Sequence, residues 1–97
     1  MYLVKFAKQA AKDAKKLKAT GLDRKAKELI AIICDNPFAN PPRYEALVGG
    51  LSGMYSRRIN IQHHLVYEVI SDSLSEDGTE YEGAVKVLSM WSHYEKL

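Results

Sequence analysis

Alternating hydrophobic and polar positions predict a β-hairpin over residues 54–61 and 64–70. Both runs are rich in β-branched and aromatic side chains, and a short polar joint around Gln62 separates them. Because side chains alternate between the two faces of a strand, one face collects the apolar positions Ile59, Ile61, Leu65, Tyr67 and Val69. The same register places a polar set on the other face, namely Arg58, Asn60, His64 and Glu68.

The first third of the chain predicts a short strand and two helices. Residues 2–5 alternate weakly, as an opening strand does. A helix follows, with a narrow apolar stripe and an end at Gly21; the stripe is Phe6, Ala10, Ala14 and Leu17. A second helix is predicted from Asp23 to Asp35, where Asn36 and Pro37 stop it; its apolar side is Ala26, Leu29, Ile30 and Ile33.

The remaining segments complete an α+β fold. Residues 36–50 hold all three prolines and predict a stiff loop containing a short extended piece, residues 44–48. Residues 71–83 are acidic and predict a mobile connector, and residues 84–92 predict a last strand. We therefore expect one domain over residues 1–97, with two helices packed on a twisted antiparallel sheet of three to four strands.

Composition restricts the class of protein. Apolar residues make up 46% of the chain and charged residues 27%, values typical of a globular domain. No membrane span or secretory signal is predicted, and Cys34, the single cysteine, excludes an internal disulfide. These features favour a reducing cytoplasm. Cys34 closes the second helix, where packing is favoured over reactivity. No histidine spacing matches a zinc site, and no phosphate-binding glycine loop is present, so no cofactor is predicted.

The net charge of +2 conceals a strong asymmetry. Nine of the fourteen lysine and arginine residues lie at or before Lys27, against two aspartates, whereas six acidic residues and no basic one occupy residues 68–82. A cationic surface of this kind attracts RNA or DNA, although a solvated lysine-rich helix would have the same composition. A DNA-binding domain is disfavoured because neither helix begins with a cluster of Arg, Asn or Gln that could serve as a recognition face.

The polar face of the hairpin is a candidate site. A guanidinium, an imidazole and a carboxylate share one surface, but exposed sheet faces are ordinarily polar and a surface ion pair contributes only about 0–1 kcal/mol. Glu45 is open to two interpretations, a solubilising residue on an edge strand or a desolvated general base. From the residues alone, His93 and Tyr94 near the carboxyl end are compatible with edge packing as well as with catalysis.

A family resemblance adds to these observations. The segment PFANPPRYEALVGGLSGMYSRRINIQHHLVYEV and the terminal SHY resemble the YoeB/Txe toxins of the RelE superfamily, which are small bacterial mRNA interferases. The resemblance implies a metal-independent endoribonuclease that cleaves mRNA in the ribosomal A site by attack of a 2′-hydroxyl on the adjacent phosphate. It implies Glu45 as general base, Arg58 as phosphate-binding arginine, His93 as general acid and Tyr94 as the terminal tyrosine.

The resemblance also implies partners. These are a Phd/YefM-type antitoxin, a second toxin subunit, mRNA and the ribosome, and operator DNA only through the antitoxin. Arg57 and His64 are predicted to contact the substrate phosphate. Ribosome docking is assigned to four lysines of the first helix, namely Lys8, Lys12, Lys15 and Lys16.

One position departs from the family pattern. His64 stands where the family usually carries a second arginine, as in HRLVY, and a histidine of ordinary pKa, about 6.5, is mostly neutral at cytoplasmic pH. The sequence therefore leaves open a toxin in which His64 is protonated next to the phosphate, an attenuated toxin, or a toxin fold that binds ribosome or antitoxin without cutting.

Overall fold

A computed structural model describes residues 1–51 and 53–91. The strands are β1 (Tyr2–Phe6), β2 (Glu45–Ala46), β3 (Met54–Arg58), β4 (His64–Ile70), β5 (Leu74–Glu76), β6 (Thr79–Tyr81) and β7 (Gly83–Ser89). The helices are α1 (Lys8–Thr20) and α2 (Asp23–Asp35), and one turn of 3₁₀ helix covers Gly49–Leu51. In the described chain, no helix combines the length and apolarity that crossing a membrane requires. The predicted α+β class is confirmed.

The main sheet has five strands in the order β1-β7-β4-β3-β2. The prediction of three to four antiparallel strands is wrong in two respects. β1 lies parallel beside β7, and the two-residue strand β2 extends the opposite edge. The acidic segment predicted as a mobile connector instead contains the hairpin β5–β6, whose turn residues Asp77 and Gly78 both have positive φ.

Both helices cover one face of this sheet. Their buried residues join the inward side chains of β4 and β7 in a single core; its helix members are Ala10, Leu17, Ala26, Leu29 and Ile33, and its strand members include Leu65, Tyr67, Val85 and Val87. Gly21, at φ 78°, ends α1 as predicted. The predicted α1 stripe is wrong in part, because Phe6 belongs to β1 and Ala14 is exposed, whereas Asp13 is buried.

The buried Asp13 carboxylate accepts a hydrogen bond from the segment that follows β7. Its Oδ2 atom accepts a 2.9 Å hydrogen bond from the backbone N–H of Met90, and its Oδ1 atom accepts one from Gln9. A backbone donor at the end of β7 is thereby satisfied inside the protein. Helix α1 and the end of β7 are therefore joined by a polar contact as well as by apolar packing.

The β3–β4 turn also contacts the end of β7. The backbone N–H groups of Gln62 and His63 donate to the side-chain oxygen of Asn60, which shapes the turn. The His63 ring stacks on Trp91 with a centroid distance of 4.1 Å, and Lys16 lies 5.8 Å from the Trp91 ring centroid. The turn and α1 thus hold Trp91 between them.

Candidate active site

A cavity of about 420 Å³ opens on the sheet face opposite the helices. Three of the sequence-predicted site residues line it together, Glu45, Arg58 and His64. The remaining lining residues are Arg43, Tyr44 and Ser56. A carboxylate, two guanidinium groups, an imidazole, a serine side chain and a tyrosine side chain therefore surround one space.

Strand register explains this convergence. Arg58 lies directly opposite His64 in the β3–β4 pair, and Glu45 lies opposite Ser56 in the β2–β3 pair. Ser56 and Arg58 are two residues apart on β3, so their side chains share a face. The predicted polar face is confirmed for Arg58 and His64, and β2 adds Glu45 to it.

The site residues differ in exposure. Glu45 and Arg58 are exposed, whereas the His64 side chain is only 9% exposed. The carboxylate and guanidinium can therefore reach a ligand in the cavity, while the imidazole lines its deeper part. Such an arrangement allows proton abstraction by the carboxylate beside a permanent positive charge.

Arg57 points to the other face and is 1% exposed. Its guanidinium donates to the backbone carbonyl oxygens of Pro37, Ala39 and Pro42 at 3.0, 2.9 and 2.6 Å, and its Nε donates to the Tyr67 hydroxyl at 3.1 Å. The prediction that Arg57 binds substrate phosphate is wrong, because its donors are engaged by the proline loop inside the protein. Arg57 instead holds the segment that leads into Glu45.

An aromatic cluster supports the same segment. The Tyr44 ring centroid lies 5.9 Å from that of Tyr55 and 6.1 Å from that of Phe38, and the Arg57 guanidinium carbon is 5.0 Å from the Tyr44 ring centroid. Aromatic pairs at these separations stabilise by about 0.5–1.5 kcal/mol each beyond the area they bury. Glu45 therefore follows a residue that is fixed by several rings and a buried charge.

Tyr67 completes the polar contacts behind the site. Its hydroxyl donates a 2.7 Å hydrogen bond to the Pro37 carbonyl oxygen and accepts one from Arg57. Burial raises the pKa of Tyr67 above its ordinary value of 10.0, and the Arg57 guanidinium counters this only in part. The hydroxyl is thus a stable donor at neutral pH.

Sequence reasoning missed Arg43 and Ser56 as lining residues. For Ser56 the signal was present, since it lies two residues before Arg58 on β3 and so shares its face, yet a serine carries little chemical signal of its own. Arg43 lies two residues before Glu45, in the segment that precedes β2. Arg43 was not predicted as a site residue because it directly follows the two adjacent prolines, in a segment interpreted as a loop.

Other predicted residues lie apart from this cavity or outside the described residues. His93 and Tyr94 fall outside the described ranges. The four predicted docking lysines are all exposed on α1, namely Lys8, Lys12, Lys15 and Lys16. Within residues 1–51 and 53–91, no group of three or more His, Cys, Asp or Glu side chains is arranged to hold a metal ion.

Comparison with known proteins places this chain in a family. Residues 6–94 match the model of the YoeB-like toxin of the bacterial type II toxin-antitoxin system. Toxin YoeB of Escherichia coli strain K12 is 45% identical over 51 residues, and toxin YoeB of Streptomyces coelicolor is 43% identical over 51 residues. Each alignment covers 53% of this chain and 61% of the relative, so the matched region spans less than two thirds of these relatives.

Solved structures agree over nearly the whole chain. A YoeB/ParE toxin from Agrobacterium tumefaciens superposes with a TM-score of 0.76 at 26% identity, covering 95% of this chain and 99% of that one. YoeB from the Staphylococcus aureus YoeB-YefM complex superposes with a TM-score of 0.71 at 31% identity, covering 97% and 99%. YafQ from E. coli, at 15% identity and a TM-score of 0.71, covers 100% of this chain and 99% of its own and shares the fold. The chain belongs to the YoeB-like toxins of bacterial type II toxin-antitoxin systems.

Proposed function

We propose that this toxin is a ribosome-dependent mRNA endoribonuclease that inhibits translation in the bacterial cytoplasm. One observation carries the proposal, the shared cavity lined by Glu45, Arg58 and His64. A carboxylate beside a guanidinium is suited to moving a proton while charge builds on a neighbouring phosphate. The lining residues are on adjacent strands, so their relative positions are set by the backbone of the sheet.

The proposed reaction is an internal transesterification. Glu45 takes the proton of a ribose 2′-hydroxyl, whose oxygen attacks the adjacent phosphorus, and Arg58 stabilises the negative charge of the phosphorane. The bond from phosphorus to the 5′-oxygen breaks, and His93 donates a proton to that leaving oxygen. The products are a cyclic phosphate, or a 3′-phosphate after hydrolysis, and a 5′-hydroxyl. Side chains carry both proton transfers, so the proposed step is metal-independent, and Tyr94 stacks on a base or orients the phosphate.

Docking to the ribosome is assigned to α1. Its four lysines, Lys8, Lys12, Lys15 and Lys16, are exposed, and the helix face that carries them is separate from the cavity. Lysine side chains attract the phosphate backbone of RNA through a sequence-independent and salt-dependent interaction. The helix would hold the toxin against ribosomal RNA while the sheet face meets the mRNA.

Protein partners are proposed from the solved relatives. A S. aureus YoeB has been solved in complex with YefM, and also as a dimer. We expect this chain to bind a Phd/YefM-type antitoxin and to form a homodimer. Contact with operator DNA would then occur only through the antitoxin.

A second function is favoured by His64. An imidazole, which has no permanent charge, opposite Arg58 gives less charge stabilisation than the arginine of the family pattern. On this alternative the protein is attenuated or non-catalytic, and it binds ribosome or antitoxin without cutting RNA.

Primer extension on a defined mRNA in a purified translation system tests the proposal. The native chain is compared with Glu45→Ala, His93→Ala and the matched surface control Arg24→Ala. Cuts at A-site codons that persist in the control and vanish in the two site variants support the enzyme. Intact message beside a folded, ribosome-bound native chain would overturn it in favour of the binding module.

A further inference from the structure

Arg43, Arg58 and His64 form a row across the cavity. Arg58 pairs with His64 on one side of β3, and Glu45 pairs with Ser56 on the other side. Arg43 lies two residues before the start of β2 and lines the same cavity. The cavity lining agrees, since it includes all three residues of the row.

The two guanidinium groups of this row are open to a ligand. Arg43 and Arg58 are both exposed, and both line the cavity. Arg57, which precedes Arg58 in the sequence, is not open to a ligand, because its donors bind carbonyl oxygens inside the fold. Two guanidinium groups that line one cavity both stabilise a phosphate placed between them.

We propose that Arg43 is a second phosphate-binding residue, which clamps the scissile phosphate together with Arg58. This inference rests on the proposed function and adds a residue to the same site. A phosphorane gains negative charge during the attack, and one guanidinium neutralises only part of it. His64 completes the row without a permanent charge, so Arg43, on the opposite side of Arg58, supplies the second one.

Binding is measured separately from cutting, with a single-stranded RNA whose attacking 2′-hydroxyl is replaced by hydrogen. Arg43→Ala is expected to weaken its binding about tenfold or more and to reduce the salt slope of the affinity by about one, as one lost phosphate contact does. Arg24→Ala, an equally exposed arginine away from the cavity, should change neither quantity. If Arg43→Ala stays within about twofold of this control, the proposed contact is overturned.

The cleavage step is tested by moving the positive charge from position 43 to position 64. Arg43→Ala should lower kcat/KM about 10- to 100-fold, the effect of one charged hydrogen bond. His64→Arg should restore about tenfold or more in the Arg43→Ala background and give a clearly smaller gain in the native chain, because the two positions would serve the same charge. If His64→Arg changes kcat/KM by the same factor in the native chain and in the Arg43→Ala variant, the two positions act independently and the proposal is overturned. A native chain that binds the probe but cuts nothing refutes the proposed enzyme, and Arg43 is then judged by binding alone.

Discussion

Arg57 donates a 2.6 Å hydrogen bond to the carbonyl oxygen of Pro42, which joins the sheet to the loop that carries the candidate base. The same guanidinium also binds the carbonyl oxygens of Pro37 and Ala39. A planar fork can serve several carbonyls at once, which the single ammonium group of lysine cannot do. Adjacent arginines in the sequence therefore have different roles, since Arg57 fixes the loop and Arg58 faces the cavity.

Arg57→Lys should destabilise the fold strongly although it preserves the charge. It leaves buried carbonyls and the Tyr67 hydroxyl without donors, and we expect a loss of about 2–4 kcal/mol in the free energy of unfolding. Urea denaturation followed by circular dichroism measures this. The matched control Arg58→Lys, at an exposed position, should change stability by less than about 0.5 kcal/mol. Equal effects of the two variants would contradict the role assigned to Arg57.

The raised pKa of Tyr67 predicts that the fold loses stability at alkaline pH. Its pKa is raised by burial in the folded state, so the unfolded chain loses this proton first as the pH passes 10.0. The contribution is fully present below pH 10.0 and decreases as the pH rises toward the folded pKa, with a slope of up to about 1.4 kcal/mol per pH unit.

Tyr67→Phe isolates this proton. The variant should be less stable at neutral pH, because it loses the hydrogen bonds to Pro37 and Arg57, but its stability should fall less steeply above pH 10.0. Urea denaturation from about pH 8 to about pH 11.5, a range that brackets the ordinary tyrosine pKa of about 10, gives the slope of stability against pH for both proteins. Parallel curves for the native chain and the variant would show that Tyr67 has the same pKa folded and unfolded.

Much of the candidate site follows from strand periodicity. Alternation in the two runs predicts that Arg58 and His64 share a face, and the register pairs them directly. Such predictions succeed because a strand has only two faces and the apolar residues select one of them. His63 and His64 are separated for the same reason, since one stacks on Trp91 and the other lines the cavity.

The failures have equally local causes. Ile61 is predicted to be buried, yet it is 88% exposed because β3 ends at Arg58 and the alternation does not continue through the turn. Arg57 is predicted to contact the substrate phosphate, yet it shares the core face with Ile59 and is buried, which is rare for an arginine. Its partners are backbone carbonyls of a loop about twenty residues away, and no sequence pattern encodes such contacts.

The extra hairpin could have been found. Asp77-Gly78 between two short runs is a strong signal for a two-residue β-turn, and the acidic composition of the segment concealed it. The parallel pairing of β1 with β7 is different, because it joins strands from opposite ends of the chain. No local sequence pattern indicates which strand β1 meets.

Asp13 gives a prediction about the end of the sheet. Asp13→Ala removes the acceptor of the buried Met90 N–H and should destabilise the fold by about 1–3 kcal/mol. Asp13→Asn keeps a side-chain oxygen and should cost less. Asp23→Ala is the matched control, because Asp23 makes a partly exposed ion pair with Lys27 at 3.7 Å that contributes about 0–1 kcal/mol. Thermal unfolding ranks the three variants, and equal losses for Asp13→Ala and Asp23→Ala would contradict the buried role of the former.

The exposed lysines of α1 give a prediction about ribosome binding that does not depend on catalysis. Reversing two charges, Lys12→Glu with Lys15→Glu, should reduce co-pelleting with ribosomes about tenfold or more, because each lost phosphate contact also turns into a repulsion. Both residues are exposed, so circular dichroism and the urea midpoint should stay unchanged. The control reverses Lys25 and Lys27 of α2, which alters net charge equally on a neighbouring helix. If both pairs reduce pelleting to the same extent, attraction is a property of net charge and α1 is not a docking surface. A loss that is selective for the α1 variant, and that stays selective as salt screens the long-range attraction, would assign the contact to this helix.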